Sequence, residues 1–97
     1  MSGYNGWTNY ETWRINLEML DGMTASDFGF NDRDLQAGYD SVERLAQALE
    51  MHVCELVEMD AKGFALDLAH SFLARVDWEE IAQHMVDEVV AEMVHYT

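Results

Sequence analysis

Residues Asp40 to Asp60, DSVERLAQALEMHVCELVEMD, decide the fold. Val42, Leu45, Ala46, Leu49, Val53, Leu56 and Val57 recur at helical spacing and make one apolar stripe. Asp40 and Glu43 stand at capping-box spacing, which places the helix start at Asp40. Lys62-Gly63 marks its end, since glycine accepts the backbone that follows a helix. The opposite face carries Glu43, Gln47, Glu50, Cys54 and Glu58, and Glu43 to Glu58 spans roughly 22 Å at 1.5 Å rise per residue.

The flanking segments repeat this grammar. Toward the N-terminus, Thr8 and Glu11 have capping-box spacing, so a helix is expected from about Thr8, with Tyr10, Trp13, Leu17 and Leu20 inward and Gly22 as its stop. Residues 1–7 are glycine-rich and expected to be irregular. Residues 22–33 hold many turn formers and read as a loop, pinned to the core by Phe28 and Phe30. Asp32 is expected to cap a short helical turn over Asp34–Tyr39.

Toward the C-terminus, Phe64 to Val76 is apolar on most sides, which predicts the central, buried helix. Asp77 and Glu80 open a fourth helix with Trp78, Ile81, Ala82, Met85, Val89, Met93 and Tyr96 inward. No strand alternation, repeat or linker interrupts the pattern. The expected fold is all-α, a compact single-domain bundle of four to five helices over residues 1–97.

Charge narrows the function. Nineteen Asp and Glu face five Lys and Arg, a formal net charge of −14 on 97 residues. Solubility of a small domain needs only about 2 to 8 charges, and the excess repels itself. The excess suggests a strongly cationic partner such as a nucleic-acid-binding protein. Direct binding to nucleic acid is disfavoured, because the phosphate field would oppose an acidic surface. From Val76 to Thr97 there is no Lys or Arg. Asp87, Glu88 and Glu92 persist near the end of the fourth helix, where the macrodipole disfavours them. The competing reading is that these are solvated outer faces.

Other chemistry finds little support. Asp67/His70 and Glu92/His95 have the carboxylate-x-x-His spacing of di-iron bundles, and Glu80, His84 and Glu88 align at i, i+4, i+8, yet the wider ligand set is missing. No metal or other cofactor is therefore expected. His70 reads as a buried imidazole and His52, His84 and His95 as exposed. Cys54 is alone, so no internal disulfide forms and a cytoplasmic setting fits. No apolar run is long enough for a membrane span, and the start of the chain lacks a secretory pattern. There is no phosphate-binding glycine loop and no nucleophile elbow, so no enzyme is expected. Trp13 and Trp78 read as core anchors. Trp7 reads as a hydrophobic staple or an exposed contact, and Tyr4, Trp7 and Tyr10 read as interface aromatics where exposed, with core packing as the competing role.

Two segments carry a resemblance. Gly6-Trp7-Thr8-Asn9-Tyr10-Glu11-Thr12-Trp13 resembles the N-x-E-T-W opening of a group of short phage- and plasmid-encoded proteins. Val76-Asp77-Trp78-Glu79-Glu80-Ile81-Ala82-Gln83-His84 is similar to a V-N-W-x-E-I-A segment near their C-termini. The tryptophan-rich stretch that usually follows the opening is replaced here by Arg14-Ile15-Asn16-Leu17-Glu18. The resemblance implies a mobile-element origin rather than a mechanism. Small acidic proteins of that origin resemble inhibitors of host defence, anti-restriction or anti-CRISPR proteins that mimic DNA.

The expectation is a non-enzymatic inhibitor in the host cytoplasm that occupies the basic nucleic-acid channel of a defence protein or ribonucleoprotein. Its partner-binding residues are Glu43, Glu50, Glu58, Glu79, Glu80, Asp87, Glu88 and Glu92. The alternative is a phage regulatory adaptor that grips a host protein such as RNA polymerase through an apolar or aromatic face. Homodimerisation through a leftover apolar face is compatible with either.

Overall fold

Among the described residues the fold comprises four α-helices and one 3-10 turn: α1 (Tyr10–Met19), the turn (Ala25–Phe28), α2 (Tyr39–Asp60), α3 (Gly63–Leu73) and α4 (Trp78–His95). The computed structural model describes residues 6–31 and 39–95, apart from the side chains of 39, 40 and 92–95. The expected helical turn over 34–39 and the cap at Asp40 lie outside what is described.

The core is the seam between α2 and α4, which make the most extensive contact of any two elements. Leu45, Leu49 and Val53 from α2 meet Ile81, Ala82, Met85 and Val86 from α4, all buried. Full burial of each Leu, Ile or Val contributes about 1.5–3 kcal/mol, so this seam dominates the packing energy. The loop closes one end of it. Leu20, Ala25 and Phe30 are buried, while Phe28 is half-buried and lies edge-on to His52 at 5.3 Å. The 3-10 turn is closed by a capping box in which Asp27 Oδ2 accepts from the Thr24 N–H at 2.8 Å.

Three expectations are corrected. α1 is capped by Asn9, one residue after Thr8: Asn9 Oδ1 accepts from the Thr12 N–H at 2.9 Å. Its inward face is Thr12 and Ile15, while Tyr10 and Leu17 are exposed. A polar residue heads the buried stripe because its hydroxyl finds partners there.

The second correction concerns α3, which is peripheral rather than central. It packs on α2 and buries only Leu73 fully, with Leu66, Ala69 and Phe72 half-buried. Phe64 stays 76 % exposed and Leu68 56 %. An all-apolar helix signals that its surface wants cover, and this fold covers one side. The exposure continues into the last turns of α2, where Met59 is 76 % exposed. The third correction is His70, which is exposed rather than buried.

Gly63 makes the corner between α2 and α3. Its φ of +61° is a left-handed backbone that β-carbon-bearing residues rarely adopt.

A polar latch and the acidic cleft above it

The two segments that carry the resemblance meet in space. Thr12 is the joint, with no exposed surface. Its Oγ1 donates to Asn9 Oδ1 at 2.7 Å and accepts from the Asp77 N–H at 2.8 Å. Asn9 Nδ2 donates to the Arg75 carbonyl at 2.8 Å. Glu80 Oε1 accepts from the Thr8 N–H at 3.0 Å. Glu11 approaches the Arg75 guanidinium at 4.0 Å. These bonds form a latch that ties the start of α1 to the α3–α4 corner.

The Asp77–Glu80 capping box is therefore half made. Asp77 Oδ1 accepts from the Glu80 N–H at 3.1 Å and caps α4 as its spacing suggests. The return bond is absent, because the Asp77 N–H goes to Thr12 and the Glu80 carboxylate goes to Thr8. Asn9, Glu11 and Thr12 thus have structural work in this chain. Trp7 joins them by stacking on His84 with ring centroids 4.2 Å apart. Tyr10 packs against Trp13 at 5.8 Å and edge-on to Phe72 at 6.2 Å.

Beside the latch lies a cleft of about 610 Å³, open between α2 and the start of α4. Glu43 and Glu50 stand on one wall; Asp77 and Glu79 stand on the other, with Trp78 among the lining residues. Against these four carboxylates it holds one guanidinium, Arg75. The other described arginines are engaged elsewhere: Arg14 pairs with Glu18 at 3.2 Å and Arg44 lies over the Phe30 ring at 5.4 Å. The acidic field of the cleft is thus left largely uncompensated.

Of the eight acidic residues singled out from the sequence, three converge here: Glu43, Glu50 and Glu79. Glu58 continues the outer face of α2, exposed and beyond the half-buried Cys54. Burial, then the nearby Glu50 and Glu58 carboxylates, push the Cys54 thiol above its ordinary pKa. Glu80 is turned to Thr8 and is half-buried. Asp87 accepts from Gln83 Nε2 at 2.9 Å on the exposed side of α4. Glu88 lines a separate cavity of about 250 Å³ with Trp7, Asp21 and His84. The side chain of Glu92 lies outside the described residues.

Asp77 is the cleft residue that the sequence reading missed. Its position before α4 marks it as a cap, and nothing in the spacing shows that a cap also forms a cleft wall.

The arrangement suits recognition of cations. Carboxylates on two rigid helices, with an indole beside them, offer charge pairing and a ring face to an incoming guanidinium or ammonium. Among the described residues no three His, Cys, Asp or Glu side chains converge on a point suited to a metal ion. Among them, too, no helix is long and apolar enough to cross a membrane. No protein-family model, no curated protein and no solved structure matches this chain.

Proposed function

We propose that this protein is a non-enzymatic inhibitor that presents its acidic surface to the basic nucleic-acid channel of a host defence protein or ribonucleoprotein, of the CRISPR or restriction type, in the host cytoplasm. The observation that carries this reading is the convergence of Glu43, Glu50, Asp77 and Glu79 on one cleft. From there the α2 face runs on through Glu58. A groove that accepts a phosphate backbone is lined with Lys and Arg. A rigid acidic ridge spanning roughly 20 Å of helix can occupy such a groove. Glu58 and Asp87 extend the charge around the molecule, and Glu80 supports the ridge from beneath through its bond to Thr8.

The adaptor reading calls for an apolar or aromatic face, with the N-terminal aromatics as its mark. Tyr4 lies outside the described residues, while Trp7 and Tyr10 are engaged on His84, Trp13 and Phe72. Phe64, Leu68 and Met59 are the exposed apolar side chains such a reading would use, and the convergence of four carboxylates on one cleft favours the acidic reading.

The test is capture of partners from bacterial lysate after nuclease treatment, with wild type and with Glu43→Gln/Glu50→Gln/Glu79→Gln. Recovery of a nucleic-acid-targeting complex, lost in the triple variant and lost as salt rises to about 0.5 M, supports the reading. A partner held equally by the triple variant, with no dependence on salt, refutes it.

A further inference from the structure

We propose that the outer face of the C-terminal half of α2 docks a basic amphipathic helix of a partner protein. This inference is independent of the acidic cleft. Met51, Glu55 and Met59 stand at i, i+4 and i+8, so they form one stripe about 12 Å long on the helix surface. Met51 is 63 % exposed and Met59 76 %, and Leu56 beside Met59 is exposed as well. Glu55, between the two methionines, and Glu58, on the next row, are also exposed. Neither makes an ion pair among the described residues. The stripe lies roughly a third of a turn around α2 from Glu43 and Glu50, the residues that wall the cleft.

Charge and side-chain type identify the occupant. From Leu45 to Ala61 the chain has no Lys or Arg, while Glu50, Glu55, Glu58 and Asp60 are all exposed. Lys62, at the α2–α3 corner, bounds the face at its far end. A second copy brings the same carboxylates against these, and nucleic acid or an anionic membrane brings phosphates, so each is repelled. A partner with an apolar stripe edged by Lys and Arg meets both features at once. Its apolar side chains cover Met51, Leu56 and Met59, and its cations pair with Glu55 and Glu58. A helix has the matching repeat, because its own side chains at i, i+4 and i+7 recur along its length as the methionines and carboxylates of α2 do. Methionine suits such a contact: its unbranched thioether adapts to the shape it meets and packs favourably on aromatic rings.

The probe is a fluorescent synthetic peptide of about 18 residues, built of Leu and Lys so that a helix gathers the Leu on one side. A scrambled peptide of the same composition carries the same charge without the stripe. Fluorescence anisotropy at about 0.15 M salt reads both affinities. The amphipathic peptide is expected to bind at least about tenfold more tightly than the scrambled one, as burial of two exposed methionines implies. Met51→Ser/Met59→Ser removes that preference and leaves the weaker binding of the scrambled peptide. Glu55→Lys weakens both peptides. These side chains are exposed, so helicity by circular dichroism stays at the wild-type level. With methyl-labelled methionine, the amphipathic peptide shifts the Met51 and Met59 resonances and leaves that of the buried Met85 in place. Glu43→Gln/Glu50→Gln/Glu79→Gln keeps the preference, so a failure of the cleft reading is told apart from a failure of this one. Equal binding of the two peptides overturns the proposal, because charge alone then accounts for it. A preference that survives Met51→Ser/Met59→Ser, or that vanishes in the cleft variant, overturns it as well, because the peptide then sits elsewhere.

Discussion

Replacing Thr12 by valine removes one oxygen and keeps the shape. In the native fold that oxygen donates to Asn9 Oδ1 and accepts from the Asp77 N–H. Asn9 Oδ1 keeps its bond from the Thr12 N–H, so it stays satisfied. The Asp77 N–H, facing a methyl, loses its partner. Two net hydrogen bonds at about 1 kcal/mol each, plus desolvation of an orphaned amide at about 1–3 kcal/mol, give a loss on the order of 3–5 kcal/mol. At about 4–8 °C per kcal/mol for a domain of this size, Tm falls on the order of 12–40 °C. Thr12→Ser keeps the hydroxyl and loses a methyl, and costs about 1 kcal/mol. Thermal unfolding followed at 222 nm, with urea titration for the free energy, separates the two. A double-mutant cycle with Asn9→Ala should show coupling of about 0.5–3 kcal/mol, since both side chains act through one network. Thr12→Val within about 0.5 kcal/mol of wild type, the scatter of neutral surface changes, would refute the latch.

Three further outcomes are expected. Glu43→Gln/Glu50→Gln/Glu79→Gln should raise Tm while it loses the partner, with a larger gain at about 0.02 M than at about 0.5 M salt, because it relieves mutual repulsion; a fall in Tm would show that the carboxylates support the fold. Alkylation of Cys54 should turn on at higher pH than for a free thiol, and Glu50→Gln/Glu58→Gln should shift that rate profile to lower pH. The folded chain holds this proton more tightly than the unfolded one, so the thiol's contribution to stability is present below the unfolded thiol's pKa and fades as pH rises through the folded one; titration of stability through that range checks the sign. Gly63→Ala meets open space at its new β-carbon, so its cost of about 1–2 kcal/mol by urea titration is purely that of the left-handed backbone, and Gly63→Asn should cost less.

Much of this architecture is written in local chemistry. Gly22, Gly63 and Asp77 punctuate the helices because cap and corner backbones have few compatible residues. The stripe from Val42 to Val53 is legible because α2 is long and its two faces are sharply unlike. α1 is not legible in the same way. Its ten residues hold two plausible faces, and the choice turns on bonds from Thr12 to Asn9 and to Asp77, 65 residues away. α3 misleads for a different reason. An apolar helix reads the same whether its own chain covers it or a second chain does. The cleft was half visible: the α2 wall follows from periodicity, whereas the α4 wall depends on how α4 is set against α2. Glu80 could not be sorted from its neighbours, since its partner Thr8 lies 72 residues away.

The latch also orders events during folding. Its bonds join residues 65 to 72 positions apart, so they close a loop of most of the chain. Such contacts must meet the entropy of loop closure before they return any stability. Residues Thr8 to Thr12 leave the ribosome well before their partners at Arg75, Asp77 and Glu80, which lie 65 to 72 positions later. The segment that holds Thr8 to Thr12 therefore waits undocked while α2 and α3 form, and its closure is a late step that requires the start of α4.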